Sequence, residues 1–288
     1  MKLFECVPNI SEGRDVAIVD ACAAAIVAAG AVLAHRTSDP DHHRSVLTYF
    51  GDATTAVNAA LALARITATR IDLRSHAGEH PRIGALDVLP FVPLGTATMD
   101  DAVAVARDAA ARIWQETGVP SYFYGAAATR EEHRQLPGVR SGGFEGLATR
   151  AQRGVRPDVG DIEFHPGAGA IAIGARPLLI AFNVVLGTGE VAVARKIARV
   201  IRESTGGLRS LRALGIALGS ERSQVSCNIT DADALPLDRL FDLVQRLAQR
   251  FGVAVIESEL IGLLPRQAAA RVVARRFGMR EGSIAPPP

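Results

Sequence analysis

At 288 residues, with 48% hydrophobic and 22% charged residues, the chain has the composition of a soluble globular protein and length enough for two compact lobes. A formal net charge of +2 gives no argument for nucleic acid or a membrane surface as partner. Lysine is confined to Lys2 and Lys196, one at the chain start and one in a helix-patterned run of charges, which makes a Schiff-base mechanism a poor fit.

In chain order, "KLFECVPNI" reads as a first strand ending in a Pro-Asn turn, and "MKLFECVPN" lacks the charged-then-apolar pattern of a secretory signal. "DVAIVDACAAAIVAAG" predicts a buried helix closed by Gly30. The longest apolar run, "CAAAIVAAGAVLA", is too short and too alanine-rich to span a bilayer. "AVLAH" and "SVLTYFG" are strand candidates flanking a polar loop, "RTSDPDHHR", and a second helix covers roughly Ala53 to Arg70. "LDVLPFVP" is apolar and broken by prolines, more strand than helix. Thr98 stands three residues before Asp101, a capping-box spacing that opens a helix running to Gly118, and "PSYFYG" is a further strand.

From Gly138 to Gly169 glycine and proline are dense and periodicity is weak, a texture that favours a functional segment between two well-patterned regions. Beyond it, "LLIAFNVVLG" is a strand and "GEVAVARKIARVIRES" an amphipathic helix. "LRSLRALGIALG" and "SQVSCNITD" are strands. "PLDRLFDLVQRLAQRFG" is a helix with Leu237, Leu240, Phe241, Val244, Leu247 and Phe251 on one face, and "VAVIES" closes the set. The order is β-α-β-β-α-β, a ferredoxin-like plan. The expected fold class is α/β (α+β) in two lobes: a mixed-sheet α/β lobe over residues 1–177 and a ferredoxin-like βαββαβ lobe over 178–288, with a disordered tail from about 283. Three cysteines, Cys6, Cys22 and Cys227, read as reduced thiols in a cytoplasm, and Cys227, alternating with Val225 and Ile229, reads as a small core residue.

The stretch "RSHAGEHPRIGALDV" sets His76 and His80 four apart. Gly78 between them and Pro81 after them argue against a helix carrying two metal ligands on one face. A loop metal site completed by His42 and His43 of "DPDHHRS", ordinary structural histidines, and acid–base catalysis all remain open on the residues alone. For the last, Glu79 and Arg82 flank His80 as candidates for orientation and tuning. "DHH" resembles a phosphoesterase motif, but the further acidic motifs such enzymes need are not found. "HPGAGAIAIGAR" does not fit the dinucleotide fingerprint, and neither a phosphate-loop lysine motif nor a G-x-S-x-G elbow occurs. Its glycines suit either a tight turn or close backbone approach to a flat ligand.

"FECVPNISEGRD", "DPDHHRSVLTYFG", "HAGEHPRIGALDVLPFVP", "YFYGAAA", "GARPLLIAFNVVLGT", "QVSCNITD" and "ESELIGLLP", in order from residue 4 to about 265, closely resemble the tetrahydrofolate-dependent glutamate formiminotransferases (formimidoyltransferases). The resemblance is to the stand-alone form of a transferase that animals fuse to a cyclodeaminase. It implies transfer of a formimino group from N-formimidoyl-L-glutamate to N5 of tetrahydrofolate, in histidine degradation and one-carbon supply. It also implies small-molecule substrates only, a crevice between two lobes, a cytoplasmic homodimer and no metal. The family's catalytic histidine falls on His80. Its folate-contacting segment falls on Gly160, Asp161, Ile162, Glu163, Phe164, His165, Pro166, Gly167, Ala168 and Gly169. Asp39, His42, Arg44, Glu79 and Arg82 are expected near the substrates, the arginines as carboxylate holders. Glu79, Asp39, Asp41 and Glu163 are the carboxylates that could face the readily cationic formimino group.

The sequence departs from the family's pattern in three places. His43 stands where many members have asparagine, Ala126 follows "YFYG" where some have glutamate, and "GDIEFHPGAG" carries an acid pair and His165 in a region elsewhere less charged. These positions bear on the donor more than on the folate, so a relative using formimidoylglycine or a formyl donor is the nearest alternative. A metal-dependent hydrolase on the four histidines and a non-catalytic folate-binding protein are the alternatives from other classes.

Overall fold

The computed structural model describes residues 1–77 and 81–279. The chain divides into two compact units, Met1–Pro177 and a second that starts at Leu178. It is mixed α/β, with two sheets and, among the described residues, eight α-helices.

The first unit runs β1 (Lys2–Cys6), β2 (Asn9–Ile10), α1 (Val16–Ala28), β3 (Val32–Asp39), β4 (Arg44–Gly51), α2 (Ala53–Arg70), β5 (Leu86–Gly95), α3 (Met99–Thr117), β6 (Ser121–Gly125), α4 (Leu136–Val139), α5 (Leu147–Gln152) and β7 (Ile171–Ala175). β1 and β2 are successive pieces of one line, each flanked by β4 and β5. β3 lies outside β4, and β7 then β6 continue beyond β5. Only β5–β7 and β7–β6 pair in parallel. Sequence reading placed a turn at Pro8-Asn9. Instead the chain runs on across the break, because Asn9 and Ile10 find the same two neighbours that serve β1. β5 tolerates Pro90 and Pro93 because each sits where a ladder is already interrupted. Pro90 lies opposite the gap between the Cys6–Phe91 and Asn9–Val88 pairs, and Pro93 lies past the last β7 pair at Phe91.

α1, α2 and α3 cover one face of this sheet, where Ile26, Leu63, Phe91 and Ile113 are fully buried. Side chains of that size each contribute about 1.5–3 kcal/mol when taken out of water. Local chemistry sets the helix ends. The Asp15 carboxylate accepts from the amides of Ala17 (2.9 Å) and Ile18 (3.3 Å), and Gly30 leaves α1 at φ +87°. Thr98 and Asp101 form the expected capping box, and Gly118 stops α3 in the left-handed region. The opposite face buries Ile83, Val88, Tyr122 and Ala172 under Val139 of α4 and Leu147 of α5. The stretch read as irregular is therefore partly helical, its short helices held by this second core.

The second unit runs β8 (Ile180–Leu186), α6 (Val191–Ile201), β9 (Leu211–Leu218), β10 (Arg222–Ile229), α7 (Leu237–Arg250), β11 (Val255–Ile261) and α8 (Arg266–Arg276). Its sheet order, β11-β8-β10-β9 with every pair antiparallel, is that of a ferredoxin-like fold. Val184, Ile197, Val225, Leu240 and Val244 form its core together with Cys227, the small core residue the alternation predicts. The helix face read for α7 ends early: Phe251 is 44% exposed, its ring 5.8 Å from the Lys196 ammonium. α8 and β7 had no sequence-based expectation. The tail expected from about 283 lies outside the described residues, and no helix of the described residues is long and apolar enough to cross a membrane.

Candidate active site

The connection from α2 to β5 carries the "HAGEHPR" motif. Its Gly78, Glu79 and His80 lie outside the described residues, whereas both flanks are described. Those flanks are stitched to the glycine-rich segment before β7. Leu73 donates its amide to the Gly167 carbonyl (2.8 Å), Ala85 to that of Ala168 (2.9 Å), and Ala170 to that of Ile83 (3.0 Å). Glycine is required for so close an approach: a Cβ on Gly84 would lie 2.0 Å from the Ala170 oxygen, and one on Gly169, at φ +67°, 2.2 Å from the Ile83 oxygen. The tight-turn reading of the "HPGAGAIAIGAR" glycines holds, since residues 166–168 form a turn closed by the Gly169 amide on the His165 carbonyl (2.9 Å) just before β7, and Gly169 also approaches protein backbone closely. Ser11 ties the same flank to the β2 turn, through its amide to the Ala85 carbonyl (2.8 Å) and its hydroxyl to the Gly84 carbonyl (2.7 Å).

Around the other flank stand Glu12, His43, His76 and Arg82. Glu12 Oε1 lies 3.0 Å from His43 Nε2 and accepts from the amides of Arg14 (2.8 Å) and Asp15 (2.9 Å). Burial would raise this carboxyl, but those two amides and His43 overcome it and hold it below its ordinary value. His43 Nδ1 reaches the Ala77 carbonyl (3.1 Å), His76 Nε2 reaches the His43 carbonyl (3.0 Å), and the two rings stack with centroids 4.1 Å apart. His43 has φ +50°, a region open to asparagine and histidine more than to most side chains. Arg82 donates through Nη2 to the His76 carbonyl (3.2 Å) and to Glu145 (2.9 Å), while its Nε is buried without a partner among the described residues.

The β3–β4 hairpin supplies the remaining candidates. Sequence reading gave its polar residues to a loop, yet β3 extends through Arg36–Asp39 because each residue pairs with β4. Asp39 accepts from the His42 ring and from the amides of Asp41 and His42 (2.9 Å each). Burial works against its charge, but the His42 ring and those amides bring the carboxyl down to about 2. Burial, with the like charge of Arg140, lowers the Arg44 guanidinium to about 10 despite Asp87 and Asp39. Asp87, 1% exposed, pairs with Arg140 and also accepts from the Ile83 amide (2.8 Å).

Within the folate-segment candidates, Gly160 packs on Trp114 and Pro120, Asp161, Ile162 and Glu163 are exposed, and Phe164 packs against the second core of the first unit. His165 Nδ1 accepts from the Ala168 amide (2.9 Å), Pro166 is exposed, and Gly167, Ala168 and Gly169 are buried. The structure thus brings Gly167–Gly169 and Arg82 to the flanks of one motif, whereas Asp39 and His42 close on each other. Glu79 and His80 lie outside the described residues. Ser11, Glu12, Asp87, Arg140 and Glu145 were not anticipated. Ser11 and Glu12 sit inside "FECVPNISEGRD", where a buried serine and a carboxylate after a strand were the available signal. Among the described residues, no three His, Cys, Asp or Glu side chains are placed to hold a metal ion. Burial pushes the Cys22 and Cys227 thiols up to about 12, away from nucleophilic use.

Residues 3–176 match the formiminotransferase domain, N-terminal subdomain, and residues 181–283 match the formiminotransferase domain. The glutamate formimidoyltransferase of Streptococcus pyogenes serotype M1 is 42% identical over 93% of this chain and 90% of its own length. That of Thermoplasma acidophilum is 39% identical over 99% of this chain and 96% of its own. The formimidoyltransferase-cyclodeaminase of Rattus norvegicus is 38% identical over 93% of this chain, a match that spans 51% of the rat protein.

Proposed function

The chain belongs to the formiminotransferase family, and we propose that it transfers a formimino group from N-formimidoyl-L-glutamate to N5 of tetrahydrofolate, giving L-glutamate and 5-formimidoyltetrahydrofolate. The observation that carries this reading is the unbroken likeness over both family domains and nearly the full length of two single-activity relatives. The setting proposed with it is histidine degradation and one-carbon metabolism, as a cytoplasmic homodimer.

His80 is the proposed acid–base catalyst. N5 of tetrahydrofolate bonds to the formimino carbon as its proton passes to the imidazole. The bond from that carbon to the glutamate nitrogen then breaks, and the imidazolium returns the proton to the departing nitrogen. These transfers need no metal. Arg82 and Arg44 are proposed to hold substrate or folate carboxylates. A guanidinium with a buried Nε that has no partner among the described residues, as in Arg82, supports a role beyond its pairing with Glu145. Asp39, its carboxyl held ionised by His42, is the described carboxylate best suited to face a cationic formimino group. The segment from Gly160 to Gly169 is the proposed folate contact, supported by its stitching to both flanks of the His80 motif.

The test is turnover of tetrahydrofolate with formimidoylglutamate, formimidoylglycine and formylglutamate, for the wild-type chain and His80→Ala. Turnover with formimidoylglutamate that falls by about 10²–10⁴-fold in the variant is expected. Turnover indifferent to His80, or none with any donor, overturns the reading. Preference for formimidoylglycine would support the nearest alternative.

A further inference from the structure

The two ring nitrogens of His43 both face acceptors that carry no hydrogen when Glu12 is ionised: Glu12 Oε1 at 3.0 Å and the Ala77 carbonyl at 3.1 Å. A neutral imidazole has one N–H and can make only one of these bonds, whereas an imidazolium makes both. The neighbouring ring shows the opposite pattern. His76 Nε2 faces the His43 carbonyl at 3.0 Å, while its Nδ1 is buried with no partner among the described residues, the pattern of a neutral Nε2–H tautomer. The rings lie 7° from parallel, a stacking in which an imidazolium at His43 would meet a neutral aromatic face rather than a second cation. Burial and the like charges of His43 and Arg82 lower His76 below its ordinary value, against the opposing pull of the His43 carbonyl and Glu12.

We propose that Glu12 and His43 are positioning residues, an imidazolium bridge that fixes the backbone of His76 and Ala77 against the turn of residues 11–14. The turn itself is rigidly seated. Ser45 donates its hydroxyl to the Glu12 carbonyl (2.5 Å), and a Cβ on Gly13 would fall 2.2 Å from the Asp39 oxygen. The charged groups that bear on the bridge are Glu12 from the turn, and His76 with Arg82, itself paired to Glu145, from the α2–β5 connection. The role rests on the proposed transferase reading, because Ala77 and Arg82 border the segment that carries His80 in sequence.

The experiment uses the full chain with ¹⁵N-labelled histidine rings, comparing wild type, Glu12→Gln, His43→Ala and His43→Asn by ring NMR across pH and by steady-state kinetics. Glu12→Gln is expected to move the ¹⁵N shift of His43 Nε2, which loses its carboxylate acceptor, while His76 keeps the neutral Nε2–H signature. In His43→Ala, kcat is expected to fall by about 10–100-fold with the KM for tetrahydrofolate little changed. His43→Asn should recover most of it, since asparagine accepts a positive φ and its amide can donate to Glu12. The same His43 ring ¹⁵N shifts in wild type and Glu12→Gln overturn the bridge. An unchanged kcat in His43→Ala overturns the positioning role. A wild-type chain without turnover overturns the transferase reading and the role that rests on it, while the NMR comparison decides the bridge by itself.

Discussion

The charge pair between Asp87 and Arg140 shows how much a single side chain can carry here. Asp87 is 1% exposed and the Arg140 side chain 11%, so neither is left to water, and the Ile83 amide takes the second carboxylate oxygen. Removing one partner of such a pair strands the other, at a cost of about 3–5 kcal/mol. Arg140→Ala should therefore lower the chemical-denaturation midpoint of the first unit. A midpoint equal to wild type would place no weight on the pair. Asp39 behaves differently, since its side chain is 40% exposed and its value is a matter of pH. A carboxyl held at about 2, against about 3.9 in an unfolded chain, stabilises fully above the higher value, and that contribution is lost as pH falls through the lower. Asp39→Asn should flatten the stability profile between about pH 4 and pH 2, as read from thermal melts across that window. The Asp87–Arg140 pair was not legible in the sequence. Asp87 and Arg140 are 53 positions apart, and only the second core brings them together.

The elements of the first unit divide by where their signals come from. α3 announces both ends locally, with Thr98 and Asp101 at one and Gly118 at the other. Thr98→Ala should cost about 1 kcal/mol, a typical value for a lost cap, with no change in turnover. The second half of β3 and all of β7 announce little. "RTSD" is polar and is a strand only because β4 lies alongside, and "IAIGA" follows glycines that read as loop until β5 and β6 close on either side. The same tertiary contact makes Gly84 irreplaceable: alanine there would press on the Ala170 carbonyl and push apart the strap that joins the candidate folate segment to the His80 motif. Gly84→Ala is expected to destabilise by about 1–3 kcal/mol, as overpacking does. If the glycine only eased a turn, circular dichroism melts of the variant would match wild type.

At the scale of the molecule, each unit has its own core: two face clusters in the first and one between sheet and helices in the second. We propose that they are separate folding units, so residues 178–279 expressed alone should melt cooperatively. A fragment without a transition would contradict this. The sequence by itself determined the βαββαβ order of the second unit and the three long helices of the first, α1, α2 and α3. Those elements declare themselves through periodicity of 3.6 or 2 and through caps a few residues away. It also carried the family likeness, because motifs are read along the chain. Only the tertiary structure decided that β1 and β2 share one line, that glycines 84 and 169 serve backbone contact, and that Glu12, His43, His76 and Arg82 meet. Those facts depend on through-space distances between residues 31 or more apart in several of the pairs, as Glu12 and His43 are, and no local pattern of residues encodes such a distance.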